Sequence, residues 1–213
     1  MEVVTDYFDG TYCINLEHRM DKWEECVNEF DKHELWVEHY KGINGDDIEY
    51  DGDLKKGVVG CFMSHKDLIT RARDSGLNSI LILEDDVAFD DELNIKFNEW
   101  YKEVPLDWDM LYLGGNHNVR EVTKCDEHLM RATNTQTTHA YAVKNTVYDM
   151  ILDRLEILDL DVDVVYTEIQ KKCKAYCFTP RLAWQRPSVS DIWKQHVDYD
   201  FIRDNDGCHK TMR

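Results

Sequence analysis

Three acids stand in succession at Glu84-Asp85-Asp86, directly after the uninterrupted apolar run Ile80-Leu81-Ile82-Leu83. In an open α/β sheet the carboxyl ends of the strands face the ligand crevice, so carboxylates placed where a buried strand surfaces are positioned for binding. Adjacent carboxylates raise one another's pKa unless a cation sits between them. Oxygen ligands of this kind suit Mg2+ or Mn2+, which in turn hold a diphosphate. The plainer alternative is a solvated acidic turn in which Asp86 caps the next helix.

Other residues offer chemistry at more ambiguous spacing. In Gly57-Val58-Val59-Gly60-Cys61-Phe62-Met63-Ser64-His65-Lys66, two glycines three apart allow a ligand or another backbone to come close, and Ser64, His65 and Lys66 offer donors within one turn. The segment is neither a Walker A loop nor a G-x-G-x-x-G, and a helix packed through its glycines explains it equally. Asn15, at the end of a first strand, and Arg19, opening the next helix, are placed to address a base and a phosphate, or to serve as a turn residue and a surface ion-pair partner. His139 lies on a probable strand, where a lone histidine is more often a core residue than a ligand. Asp159, Asp161 and Asp163 supply either a general base or a helix cap. The acidic stretch from Asp47 begins like a calcium loop, but its twelfth position is Val58 rather than glutamate, which dismisses that reading.

Periodicity predicts the elements that would carry these groups. Short apolar runs at 12–16, 35–40, 79–83, 109–113 and 174–178 read as strands, and three- and four-residue apolar spacing predicts helices over 19–33, 57–75, 90–101, 145–155 and 162–172. Gly76 stands where a helix cap belongs. The stretch 44–53, rich in Asp and Gly, reads as a loop, and Gly114-Gly115-Asn116 as a break. Between 119 and 143 the pieces are short enough for antiparallel strands, at 119–123, 129–133 and 139–143. Beyond Pro180 little periodicity remains, which predicts an irregular tail. The sum is an α/β domain with a βαβ first half and a mixed second half.

Composition bounds the function. With 213 residues the chain has one domain's worth of length, and it buries roughly 70% of its unfolded surface without help from disulfides or a structural metal. It carries 43 acids against 25 Lys and Arg, a formal charge of −18. Such a field repels nucleic acid and anionic membrane, so a phosphorylated ligand requires a local electropositive site or a bridging cation. The N-terminal residues lack a basic and apolar leader pattern, and no run approaches the 18 or more apolar residues of a membrane span. Seven cysteines, an odd count without framework spacing, are expected as free thiols. These features predict a soluble protein of a reducing, cytoplasmic-type compartment.

Taken together, the residues resemble glycosyltransferase family 25, which includes lipooligosaccharide and collagen galactosyltransferases. The resemblance runs in order through Ile14-Asn15-Leu16 with Arg19, Gly60-Cys61-Phe62-Met63-Ser64-His65, Ile82-Leu83-Glu84-Asp85-Asp86, Asp107-Trp108-Asp109-Met110-Leu111-Tyr112-Leu113-Gly114, Thr138-His139-Ala140-Tyr141, Asp161-Val162-Asp163 and Ser190-Asp191-Ile192. It implies a GT-A-like, Rossmann-like nucleotide-sugar-binding domain with a mixed central sheet and an irregular C-terminal tail. Residues 1–115 would form the nucleotide-binding half, 116–180 the acceptor and metal half, and 181–213 the tail. The implied activity is transfer of a hexose, of galactose or glucose type, from a UDP-sugar to a hydroxyl of a glycan or protein, with Mn2+ or Mg2+ and with inversion.

Carried onto this sequence, the resemblance places Asn15, Leu16, Arg19, Ser64 and His65 at the nucleotide. Glu84-Asp85-Asp86 stands in for a D-x-D motif, with Asp86 on the metal and Glu84 or Asp85 on the ribose, the first position being Glu where the motif has Asp. His139 or Asp191 would complete the metal shell. Asp163, with Asp161 in reserve, would be the base, and Gln185 would bond sugar hydroxyls. Trp184 and Trp193 would cover the donor, stack on an acceptor sugar or simply anchor the tail. The alternatives are a binding protein of the same fold without transfer activity and, more distantly, a nucleotidyltransferase.

Overall fold

The computed structural model describes residues 2–117 and 123–198. The strands are β1 (Gly10–Asn15), β2 (Glu38–Lys41), β3 (Ser79–Glu84), β4 (Val87–Phe89), β5 (Met110–Tyr112), β6 (Asn116–His117), β7 (Thr123–Lys124), β8 (Leu129–Arg131), β9 (Thr135–Gln136), β10 (Ala140–Lys144), β11 (Ala175–Phe178), β12 (Ala183–Gln185), β13 (Ser188–Val189) and β14 (His196–Val197). The helices are α1 (Met20–Lys32), α2 (Lys56–Asp74), α3 (Leu93–Trp100), α4 (Tyr148–Arg154) and α5 (Val162–Gln170).

One sheet of eight strands, in the order β2-β1-β3-β10-β5-β11-β8-β7, organises the molecule. β1 pairs in parallel with β2 and β3, whereas β10 runs antiparallel between β3 and β5. The parallel β2-β1-β3 unit and the mixed strands that continue it form the α/β domain with a mixed central sheet that the sequence implies. β3 lies inside this sheet, which is why its sequence is a continuous apolar run rather than an alternation. Ile80 and Ile82 face the side covered by α2, α4 and α5, with Phe62, Tyr141 and Tyr166. Leu81 and Leu83 face the other side, with Cys26 and Phe30 of α1 and Phe97 of α3. The period-two geometry of a strand thus feeds two cores from one run.

Several boundaries depart from the periodicity. The segment predicted as helix over 145–155 opens with a 3-10 turn, Asn145–Val147, before α4 begins. Of the strand expected at 119–123, only Thr123 lies within the described residues. Gly76 does close α2: its φ is +69°, and the Leu77 amide donates to Ala72 O at 3.0 Å. Only a residue without a Cβ takes this left-handed conformation at little cost.

The tail is more ordered than its lack of periodicity suggested. β12 pairs antiparallel with β4, opposing Gln185 to Val87, and β13 pairs with β14. Strands of two or three residues are too short to leave a pattern in sequence. The Cys208 end of the chain lies outside the described residues, and the six cysteines within them are free thiols. Among the described residues no helix is long and apolar enough to cross a membrane.

Candidate active site

The ends of β1 and β3, the first turns of α1 and α2, and the tail around 190 enclose a cleft of about 170 Å³. Leu16, Lys22, Gly60, Cys61, Ser64 and His65 line it, as do Glu84-Asp85-Asp86, Gln185 and Asp191. It shares Leu16, Ile43 and Asn44 with a neighbouring hollow of about 390 Å³ that opens past Lys41 and Asp47.

The three acids differ in environment. Glu84 ends β3, where its Oε1 accepts from Thr138 Oγ1 at 2.5 Å and lies 3.2 Å from His65 Nε2. Burial opposes its charge, but His65 and the Thr138 hydroxyl outweigh it and hold the carboxyl below its ordinary value. Asp85 turns toward α1 and accepts from Lys22 Nζ at 3.0 Å and Asn15 Nδ2 at 2.9 Å. Its desolvation still prevails over these partners, so its pKa is raised.

Asp86 stands apart. Gln185 Nε2 donates to its Oδ2 at 3.1 Å, but its buried Oδ1 has no hydrogen-bond partner. Burial, reinforced by Glu84 and opposed by Lys22, pushes its carboxyl up to about 7. A carboxylate oxygen left without a donor costs free energy unless a proton or a cation occupies it. Asp86 also does not cap a helix: the chain passes from it directly into β4.

Arg186 fixes this turn. It donates from Nη1 to Val87 O at 2.6 Å and from Nη2 to Asp85 O at 3.0 Å, while its amide donates to Asp86 O at 2.6 Å. No signal in the sequence pairs Arg186 with these carbonyls, because backbone acceptors carry no residue identity. Lys22 was hidden for another reason, as a helical lysine reads by default as a solvated side chain. Here it is buried, and its Nζ lies 3.6 Å from Asp191 as well as against Asp85.

The remaining predicted residues divide between cleft and scaffold. Ser64 lines the cleft, yet its hydroxyl donates to Gly60 O at 2.7 Å and accepts from the Ile43 amide at 2.8 Å. The same contact explains Gly60, where a Cβ would sit 2.6 Å from Ile43 O. Another backbone, not a ligand, uses that glycine. Asn15 spends its amide on Asp85, on Arg19 O and on His39 Nε2, 3.1 Å from its Oδ1. Arg19 clasps the tail, with Nη1 2.5 Å from Asp191 Oδ2, and also binds Asp21.

Gln185 and Trp184 point to opposite sides of β12, Gln185 toward Asp86 and Trp184 toward a hollow beside Glu29 and Phe89. Trp193 stands half-exposed at the cleft rim with Lys55 Nζ 3.6 Å from its ring centre. His139 is buried beside the sheet with Nε2 3.4 Å from Ala183 O, and burial pushes its pKa down to about 4, so it is neutral near pH 7. It does not line the cleft. Asp163, at the start of α5, accepts from the Thr137 amide at 3.0 Å, and burial raises its pKa. Asp161 occupies the cap position of α5 without making a side-chain capping bond.

Residues 8–179 match glycosyltransferase family 25 (LPS biosynthesis protein), a span containing β1, the acidic triplet and α5. The chain belongs to this family. Among its relatives, procollagen galactosyltransferase 1 of Danio rerio is 30% identical over 129 residues, covering 50% of this chain and 21% of that protein. The inactive glycosyltransferase 25 family member 3 of Homo sapiens is 28% identical over 129 residues, covering 50% of this chain and 22% of that protein. The matched region is thus less than a quarter of either relative. A solved Drosophila β1,4-galactosyltransferase 7, in complex with manganese, UDP-Gal and xylobiose, superposes with a TM-score of 0.44 at 10% identity, covering 95% of this chain and 74% of that one.

Proposed function

We propose that this family 25 chain transfers a hexose, of galactose or glucose type, from a UDP-sugar to a hydroxyl of a glycan or protein acceptor, with a divalent cation and with inversion. The observation that carries this reading is the buried Asp86 carboxylate, whose Oδ1 lacks a donor in a cleft shared with Glu84. Its hard oxygen donors fit Mn2+ or Mg2+, with Asp86 the principal ligand and Asp191 the nearest carboxylate of the tail. Such a cation supplies charge compensation for a departing diphosphate without a proton donor.

The chain's own residues do the rest. Leu16 and His65 border the space for the nucleotide, and Gln185 stands beside Asp86 to bond sugar hydroxyls. Lys22 brings positive charge to a protein of net charge −18. Asp191, on the turn between β13 and β14, already lines the cleft while paired with Arg19. As the bond from the anomeric carbon to the diphosphate oxygen breaks, the acceptor oxygen bonds to that carbon from the opposite face. Its proton passes to a carboxylate, for which Asp163 is the candidate and Asp161 the reserve.

The kinship to a relative named inactive supports a second reading, a nucleotide-sugar-binding protein without turnover. A screen of UDP-hexoses with and without Mn2+ distinguishes the two. The transferase reading expects slow donor hydrolysis with at least one UDP-hexose, lost on chelation, whereas binding of UDP without any hydrolysis over hours supports the second.

A further inference from the structure

Cys61 and His65 are four residues apart on α2, so they project from the same face one turn apart. Glu84 meets them from the end of β3. One ligand atom from each, the thiol sulfur, an imidazole nitrogen and a carboxylate oxygen, all lie within 4.8 Å of one another. We propose that Cys61, His65 and Glu84 form a second cation site on the floor of the cleft, selective for a thiophilic metal such as Zn2+ and distinct in its donor set from the carboxylate site at Asp86.

Three observations carry this. The donor set combines sulfur, nitrogen and oxygen, which favours Zn2+ over Mg2+ or Mn2+. The imidazole is already oriented for it: His65 Nδ1 lies 2.7 Å from Tyr141 Oη, and that hydroxyl lies 3.0 Å from Tyr166 Oη. Tyr141 engages Nδ1, the outer-shell contact that fixes a metal-binding histidine, while Nε2 faces Glu84 Oε1 at 3.2 Å and gives up its hydrogen bond to that carboxylate when it presents its lone pair to an ion. Finally, Cys61 and Glu84 line the cleft, so an ion has an entry path, and a fourth position remains for water or an anionic oxygen.

Bond lengths of about 2.0–2.3 Å to zinc require the three donors to draw together from their present spacing. Half-buried Cys61 and Glu84 can do this by side-chain rotation, at the cost of the Glu84 hydrogen bond to Thr138. On binding, the Cys61 thiol releases its proton to solvent and the sulfur bonds as thiolate. Because Glu84 borders both sites, zinc here competes with a cation at Asp86.

The test uses the metal-stripped full chain and Co2+ as a spectroscopic probe, followed by displacement with Zn2+. One equivalent of Co2+ should give intense tetrahedral visible bands and a thiolate-to-cobalt charge-transfer band in the near ultraviolet. Cys61→Ser should lose the charge-transfer band and bind Zn2+ at least about tenfold more weakly, while Asp86→Asn should keep both bands. A Co2+ spectrum without a charge-transfer band, or one unchanged in Cys61→Ser, overturns the proposal. If the serine variant does not fold, peptide mapping after alkylation decides: Zn2+ should protect Cys61 more than the other cysteines, and equal labelling with and without Zn2+ overturns the site. None of these readouts needs a nucleotide, so failure of UDP to bind leaves them interpretable.

Discussion

Asp86→Asn is expected to abolish hexosyl transfer and, in the same protein, to raise ligand-free stability at pH 8. The loss of transfer follows from removing the anionic ligand on which charge compensation of the leaving diphosphate depends, an effect on the order of 10³-fold in kcat. The gain in stability follows from linkage. Unfolded, Asp86 ionises near 3.8; folded, burial pushes it up to about 7. Below pH 3.8 both states hold the proton. Between 3.8 and 7 the unfolded state has released it and the folded state retains it, so rising pH favours unfolding until the penalty levels off above 7. The full difference has an upper limit on the order of 4 kcal/mol, and asparagine, which keeps the shape and carries no charge, removes it.

Buried His139 and His117 act in the opposite sense. Their folded values, about 4 and about 3 against 6.5 unfolded, make stability fall as pH drops below 6.5. The contribution of Asp86 is therefore read from the difference between wild type and variant. Denaturant titrations at pH 5 and pH 8 should give a larger stability gain for the variant at pH 8. An equal gain at both pH values contradicts the account of Asp86, as does undiminished transfer.

Asp163→Asn should lower kcat by about 10²–10⁴-fold while leaving the donor KM nearly unchanged, because it removes the acceptor of a proton and not a contact to the nucleotide. A general base acts when deprotonated, so wild-type kcat rises with pH through the Asp163 pKa. Burial holds that pKa above the ordinary 3.8, which moves the acid limb upward from where an exposed aspartate would place it. In the variant this limb should flatten. Asp161→Asn should do less, since Asp161 sits at the helix start without the Thr137 contact that positions Asp163. If Asp161→Asn carries the larger kcat loss and removes the limb, the roles of the two acids are reversed.

The central strand and its acidic tip were legible because burial on both faces demands an unbroken apolar run, and the run must end where three charged residues begin. The helices that cover the sheet were legible from their spacing for the same reason, since one face of each must be apolar. What sequence hid was the direction of each acid. Glu84, Asp85 and Asp86 are adjacent in the chain, yet Asp85 turns to Lys22 and Asn15, Glu84 to His65 and Thr138, and of the three only Asp86 is left with a buried oxygen that has no partner. Those partners come from β1, α1, α2 and the segment before β10, and pairing across such distances leaves no local pattern. Asn15 and Arg19 illustrate the converse. Both stand at the expected end of β1, but their polar groups tie the scaffold together, Asn15 to Asp85 and Arg19 to the tail. The pairing of β12 with β4, which brings Gln185 to Asp86, was likewise invisible in three-residue segments.

The most direct measurement is calorimetric titration of UDP into the metal-stripped chain, with and without Mn2+, on wild type and on Asp86→Ala. The account predicts that Mn2+ tightens UDP binding to wild type by at least about tenfold, equivalent to about 1.4 kcal/mol, and has no such effect on the variant. Equal UDP affinity with and without Mn2+, or the same Mn2+ enhancement after Asp86 is removed, contradicts it.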